Sequence, residues 1–548
     1  MKNVVVNSKK SDYIWLLTLA LLVRGLAAWP QQQPNYMDAA YYTVTGQNLA
    51  QGRGFVEDFV WNYLGNPGLP PQPSHLYWPP LTSLLAAAGI LLGGDNYRAA
   101  QIGFVLVSAL LAPLAAYSAI AVGGRRWHAW LAGLLAIFSG FYFPYWTAID
   151  SFALFGVTGS LALLLASESE RIKVEGGRMN FSAFCLPPSS LFFAGLLAGL
   201  AHLTRADGVL IFVSIELFLL VQLVRSATRN TQRATHKKLR ITNYELRILV
   251  LPLLGYLLVM LPWFWRNWQV AGAPLPVAGS QTIWLASYDD LFSYGREHSP
   301  ATLLAAGLGP VLAGRWWALM VNLQTVLAVW GMIILLPLAL AGGWHLRRRG
   351  AVQLNALYAG LLLAVMTLVF PFPGAWGGLF HSGAALLPVI YATTAIGLEV
   401  AVGWVAARRR GWRANSARQV FGVGLVAIAV TLSLFLYNQR VLKNNAWNGA
   451  DAAYPAIAAW VMAHDATAVV MIGNPPAYRY HGGGPSVVVP NENLDISLQA
   501  ARRYGVRYLV LDSNRPAPLA EVFARPESAA GLTIVKRLGD VVIFQVDR

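Results

Sequence analysis

Two carboxylates stand where acid–base or metal chemistry is possible. Asp38 lies in YMDAAYYTVTGQNLAQGRGF, residues 36–55, and Asp150 lies in YWTAIDSFALFG, residues 145–156. The first string reads as a short amphipathic helix with Tyr41, Val44 and Leu49 on its apolar side and Gly52 and Gly54 ending it, so Asp38 falls in the first turn. Asp150 immediately precedes an apolar stretch that begins at Ser151. Either acid alone reads equally well as a helix cap, accepting from backbone N–H groups left free at an N-terminus. A divalent metal is possible if both converge with Asp289 or Asp290 of SYDDLF, or with Glu57 and Asp58, because hard cations take carboxylate oxygens. The first loop holds no D-x-D motif, and the expectation is that no metal is obligatory. Arg205 in HLTRADG, Arg266 in PWFWRNW, His75 ahead of Pro79 and Pro80, and His381 in HSGAALLP all stand at apolar–polar junctions. The bland reading for such a residue is snorkelling or helix-end capping.

The elements that must position these residues are membrane helices. Of 548 residues, 56% are hydrophobic and only 12% charged, against roughly 25% charged in an ordinary soluble protein. The single cysteine, Cys185, excludes a disulfide framework and a cysteine-based zinc site. A net charge of +16 would suit nucleic acid, but many Lys and Arg residues sit in short clusters between apolar blocks, which marks membrane orientation instead. Tyr13 to Trp29 follows Lys2, Lys9 and Lys10 and is interrupted by Arg24, so it reads as an uncleaved first helix rather than a signal peptide.

Sidedness turns on the next block, Pro79 to Gly94, which opens with a double proline and is short for a span. If it does not cross, the basic clusters at Arg125 and Arg126, at 225–247, at Arg347 to Arg349 and at Arg408 to Arg413 all fall inside; if it crosses, all four fall outside. The positive-inside rule selects the first option. Further spans are expected at 97–121, 127–145, 151–167, 190–204, 207–224, 248–264, 316–342, 354–371, 380–404 and 420–437, which makes about eleven with the first helix. The N-terminus is then cytoplasmic, and residues 30–96, 265–315 and 438–548 share the outer face with Asp38 and Asp150. Two acids at junctions on one face weigh against each being only a cap. Beyond Tyr437, strand-like strings at 468–472, 486–489, 507–511 and 540–546 and helix-like ones at 451–463 and 494–504 predict an extracytoplasmic α/β domain, leaving 1–437 as the membrane domain.

In order and hydropathy, GQNLAQGRGF, YWPPLTSLL, the acid at 150, GLAHLTRADG and PWFWRNW resemble the C-type glycosyltransferases over about residues 10–440. The similarity is to the branch of protein O-mannosyltransferases and lipid A aminoarabinose transferases. The resemblance implies a polyprenyl-phosphate-linked sugar donor, transfer on the outer face to a hydroxyl acceptor of protein, lipid or glycan, and inversion at the sugar carbon. It implies that Asp38 is the catalytic base, since a hydroxyl nucleophile must lose its proton as it attacks. It makes Asp150 the second acid, positioning acceptor or donor or holding a metal. Many relatives have Asp-Glu at the first position, where this chain has Asp38-Ala39. The donor phosphate calls for cations, and Arg205, Arg266 and His75 are the candidates, with His381 weaker. Some relatives carry Lys just before the double proline, where this chain has Trp78.

Two rivals remain at this stage. A transporter or lipid flippase would carry charged or broken helices near the midplane, whereas these acids lie at junctions. A polysaccharide polymerase or ligase, or an oligosaccharide transferase, would keep the fold and change the reaction. Arg24, Glu216 and Glu399 are expected to find partners within the bundle, and no nucleic-acid partner is expected.

Overall fold

The computed structural model describes residues 9–168, 189–233, 243–370, 374 and 377–547. Cys185 and part of the basic stretch 225–247 lie outside the described residues. The chain begins with α1 (Lys10–Ala28), followed by α2 (Met37–Ala50) and a loop with three two-residue strands, β1 (Val56–Glu57), β2 (Phe59–Val60) and β3 (Gln72–Pro73). There follow α3 (Leu81–Gly93), α4 (Tyr97–Ala109), α5 (Leu111–Ala121), α6 (Arg126–Ile137), α7 (Ser151–Glu168), α8 (Ser189–Thr204), α9 (Val209–Arg233) and α10 (Asn243–Ala271). A second long connection carries α11 (Val277–Gln281) and α12 (Pro300–Ala305) before α13 (Leu308–Thr325), α14 (Leu336–His345), α15 (Gly350–Ala364), α16 (Gly378–Ser382), α17 (Leu387–Ala406) and α18 (Ala414–Tyr437).

Among the described residues, eight helical stretches are long and apolar enough to cross a membrane, and the chain is a polytopic membrane protein. The other expected spans are shorter or interrupted. The segment predicted at 127–145 is helical only through Ile137, α8 has 16 residues, and 316–342 breaks between α13 and α14, where Met332 and Ile333 take φ of 41° and 64°. Two glycines bring α8 and α10 together: Gly195 lies against the Pro252 carbonyl and Gly255 against that of Phe192, spaces that a Cβ would fill.

Ties between helix ends fix the path. Asp12, at the start of α1, takes Arg126 Nε at 2.7 Å and Nη2 at 2.6 Å, from the start of α6. At the other end of α1, Arg98 of α4 donates to the carbonyls of Ala28, at 2.8 Å, and Trp29. The chain is at the same end of the bundle at residues 28 and 98, so the segment between, α3 included, makes no net crossing. Instead α3 lies along α2, with Thr45 Oγ1 2.8 Å from Ser83 Oγ and Gln47 and Gln51 donating to Asp95 at 3.0 and 2.9 Å.

The C-terminal region adds α19 (Ala446–Gly449), α20 (Tyr454–His464), β4 (Val469–Ile472), α21 (Pro475–Tyr480), β5 (Ser486–Val488), α22 (Leu494–Tyr504), β6 (Val506–Leu511), β7 (Leu532–Leu538) and β8 (Val541–Val546). The strands and helices expected here form within a few residues of their predicted bounds. The sheet has six strands in the order β2-β5-β4-β6-β8-β7, so its edge comes from the first loop: Phe59 pairs with Ser486 and Val60 with Val487, in parallel. Expectation had missed β7, whose exposed Lys536 and Arg537 break the apolar pattern, and β2, whose partner lies near the other end of the chain.

Candidate active site

Helix α2 is buried along most of its length, which holds its first turn in place. Tyr41 packs edge-on against Trp61 and Trp78, and Ala40 joins a cluster with Tyr454, Ala477 and Tyr478 of the C-terminal region. Gly52, at φ +76°, turns the chain out after the helix. Asp38 then faces Asp150, which sits fully buried just before α7.

Asp150 is held from three directions. Tyr36 Oη donates to its Oδ2 at 2.7 Å, and the Ser151 N–H and Oγ both donate to Oδ1, the latter at 3.0 Å. The Ser151 hydroxyl continues the network to His381 Nδ1 at 3.1 Å and accepts a long contact from Arg205 Nη1 at 3.5 Å. His381 stacks on Phe152 with ring centres 4.1 Å apart. Arg205 stands between α8 and α9, where its Nε lies 3.2 Å from Asp207 Oδ1, and Ser382 Oγ donates to Asp207 Oδ2 at 2.6 Å.

Electrostatics separate the two acids from ordinary carboxylates. Burial, with the neighbouring Asp150 charge added, pushes the Asp38 pKa up to about 7, while the Arg205 guanidinium opposes the rise. Burial also raises Asp150, against the hydrogen bonds from Tyr36 and Ser151. Asp38, unlike Asp150, opens onto a cavity of about 380 Å³, which Arg205, Asp207, Trp61, Tyr77 and Tyr288 also line. A carboxylate near neutrality facing a guanidinium across such a space can take a proton from a bound hydroxyl while the cation holds an anion.

The remaining sequence candidates lie elsewhere. Arg266 does not line this cavity: its guanidinium donates to the Ser74 carbonyl at 2.8 Å and sits over Trp263 and Phe55 at 4.8 and 5.5 Å. His75 is clamped between Ser74 Oγ at 2.7 Å and Ser83 Oγ at 3.0 Å, and burial lowers its pKa to about 3. Asp58 is ion-paired with Arg53 at 2.7 Å and Arg479 at 3.0 Å. Asp290 accepts from the backbone N–H groups of Ala286 and Ser287, and Asp289 is exposed. Glu57 is buried beside a different cavity. Thus Asp38, Asp150, Arg205 and His381 come together and the others do not. Sequence reasoning passed over Tyr36, Ser151, Asp207 and Ser382. Each lies within two residues of a residue it did select, so scanning the neighbours of Asp38, Asp150, Arg205 and His381 for side-chain donors and acceptors would have found them.

Asp38, Asp150 and His381 each offer a ligand atom, all within 4.8 Å of one another, so a divalent ion has a donor set here. The set is already engaged, however: Asp150 receives three hydrogen bonds, His381 Nδ1 faces the Ser151 hydroxyl, and Arg205 supplies positive charge.

The comparison with solved structures shows the fold to be that of the C-type glycosyltransferases. The chain is similar to the archaeal oligosaccharyltransferase AglB from Archaeoglobus fulgidus, in complex with an inhibitory peptide and a dolichol-phosphate, with TM-score 0.57 at 14% identity over 92% of this chain and 70% of that one. It is similar to ArnT from Cupriavidus metallidurans bound to undecaprenyl phosphate, with TM-score 0.54 at 13% identity over 98% of each chain. A complex of the Archaeoglobus fulgidus oligosaccharyltransferase with Zn and sulfate aligns with TM-score 0.54 at 14% identity over 91% of this chain and 68% of that one. No protein-family model matches the chain, and no curated protein matches it.

Proposed function

We propose that this protein is an inverting glycosyltransferase that moves a sugar from a polyprenyl-phosphate donor to a hydroxyl acceptor on the outer face of the membrane. One observation carries the reading: the half-buried Asp38 carboxyl and the Arg205 guanidinium line one cavity, with desolvation and the Asp150 charge pushing the Asp38 pKa up to about 7. The acceptor oxygen attacks the sugar carbon, the bond from that carbon to the phosphate oxygen breaks, and polyprenyl phosphate leaves as an anion. The hydroxyl proton goes to Asp38, and Arg205 holds the phosphate charge. Asp150 positions Tyr36 and Ser151 and, through its charge, keeps Asp38 basic. That solved structures of this fold hold dolichol-phosphate or undecaprenyl phosphate supports a lipid-phosphate donor. The basic residues Arg125, Arg126, Arg347 to Arg349 and Arg408 to Arg413 fall at helix ends away from Asp38, which supports an outward-facing site.

A divalent ion, if it binds, is held by Asp38, Asp150 and His381 and supplies Lewis-acid stabilisation of phosphate charge. We propose that it is dispensable, because Arg205 already meets that need. The test is to incubate purified protein with labelled polyprenyl-phosphate sugars and a cell-envelope extract, with and without chelator. Sugar transfer that survives chelation is the expected result. Passage of the labelled lipid between leaflets without transfer would identify a flippase instead.

A further inference from the structure

A second cavity of about 440 Å³ lies beside the first, and Trp61 and Tyr77 line both. Its remaining walls come from Tyr41 of α2, from the first loop, residues 57–76, and from 270–278 at and beyond the end of α10. At the shared wall, Trp61 stacks on Trp78 with ring centres 3.9 Å apart at 3°, and Tyr77 meets Trp61 edge-on at 4.9 Å.

The two cavities differ in charge. The first sets Arg205 among the carboxyls of Asp38 and Asp207. Among the described residues lining the second there is no Lys or Arg, and its acid is Glu57, only 6% exposed. Glu57 Oε1 accepts from Gln72 Nε2 at 3.0 Å, and Gln72 and Asn62 also line the space. Burial pushes the Glu57 pKa up to about 8, opposed by the hydrogen bonds from Tyr41 and Gln72, so near neutral pH the carboxyl is a hydrogen-bond donor as well as an acceptor. Such a wall offers a phosphate no cation. It offers a carboxyl and two amides to hydroxyl groups and the faces or edges of Tyr41, Trp61 and Tyr77 to the C–H surface of a ring, within the size range of small-ligand pockets.

Resting on the transferase reading above, we infer that this second cavity is the acceptor site and that the acceptor is a saccharide, whose reactive hydroxyl reaches Asp38 past Trp61 and Tyr77. The donor phosphate and the acceptor ring thus occupy two compartments, of which the first alone presents a guanidinium.

The experiment uses Leu69, which lines the second cavity and is 61% exposed. A Leu69→Cys substitution in a Cys185→Ser background is assayed before and after modification with a bulky thiol reagent. The probes are a labelled polyprenyl-phosphate sugar that the unmodified protein uses and an envelope glycan fraction, pretreated with periodate or with protease. Modification is expected to abolish transfer to glycan while release of free labelled sugar to water continues, and periodate but not protease is expected to destroy the acceptor. Glu57→Gln is expected to raise acceptor KM about tenfold, with donor KM unmoved. Full transfer by completely modified protein, loss of hydrolysis together with transfer, or an acceptor destroyed by protease alone would each overturn the assignment. If the unmodified protein moves no label at all, the transferase reading itself fails, and the acceptor site with it.

Discussion

Two clusters of acid, histidine and arginine occupy opposite ends of the bundle, and their charge balance differs. At the end away from Asp38, Glu399 of α17 meets His128 Nε2 at 2.8 Å, Arg418 at 3.2 Å and Arg125 at 3.4 Å, so one carboxylate answers two guanidiniums and an imidazole. At the site end, the carboxyls of Asp38, Asp150 and Asp207 share the guanidinium of Arg205, and two of the three face a cavity. The first arrangement neutralises an acid and staples α6, α17 and α18 together. The second leaves negative charge in excess, and for Asp38 the Asp150 charge adds to burial in raising the carboxyl pKa. A cluster that only holds structure satisfies its charges; a cluster that must accept a proton is kept short of cations.

That contrast is broken most forcefully at Asp38. Asp38→Asn removes the proton acceptor while keeping shape, and turnover is expected to fall by about 10² to 10⁴ in a transfer assay. Stability should not fall with it. Since the folded pKa lies above the ordinary carboxylate value, the contribution of Asp38 to stability is fully present below that value and is lost as pH rises through about 7. Thermal unfolding at pH 8 is therefore expected to give Asp38→Asn a Tm equal to or above that of the parent. In the parent, kcat/KM is expected to rise with pH through about 7 as Asp38 ionises, and a rate that is flat between pH 6 and 8 would assign the proton elsewhere.

Asp150→Asn is expected to cost less turnover and to lower the midpoint of that pH profile, since it removes a neighbouring charge that raises Asp38. Arg205→Ala is expected to raise donor KM by the worth of a charge-assisted contact, about 1.5 to 3 kcal/mol. Arg266→Ala, in contrast, should lower Tm through loss of its hydrogen bond to Ser74 and leave donor KM alone. Smallest of all, Glu399→Gln is expected to cost about 1 kcal/mol or less per pair in unfolding and nothing in turnover. Equal loss of activity at Glu399 and Asp38 would erase the distinction between the two ends.

Most helices were legible because hydropathy is a local signal. The acids of the site were legible for a related reason: an Asp at the mouth of an apolar stretch stands out wherever it folds. The two arginines show where this stops. Arg205 and Arg266 occupy similar junctions in sequence, but Arg205 falls in a break between α8 and α9 and can turn into the cavity. Arg266 is inside the continuous α10, so its side chain leaves the helix sideways onto Trp263, Phe55 and the Ser74 carbonyl. The neighbouring aromatics in PWFWRNW were a hint of that cation–π seat. The broken passage from α13 to α14 was hidden by an unbroken run of apolar residues, which reports burial but not helical continuity.

The strand β2 ties the beginning of the chain to its end. Phe59 and Val60 find their sheet partner at Ser486 and Val487, and the loop they belong to also carries Trp61 and Tyr77, which divide the two cavities. During synthesis the first loop emerges more than 400 residues before Ser486 and Val487, its strand partners. A chain that stops after α18 would hold its helices but lack the strand that anchors the loop between the two cavities.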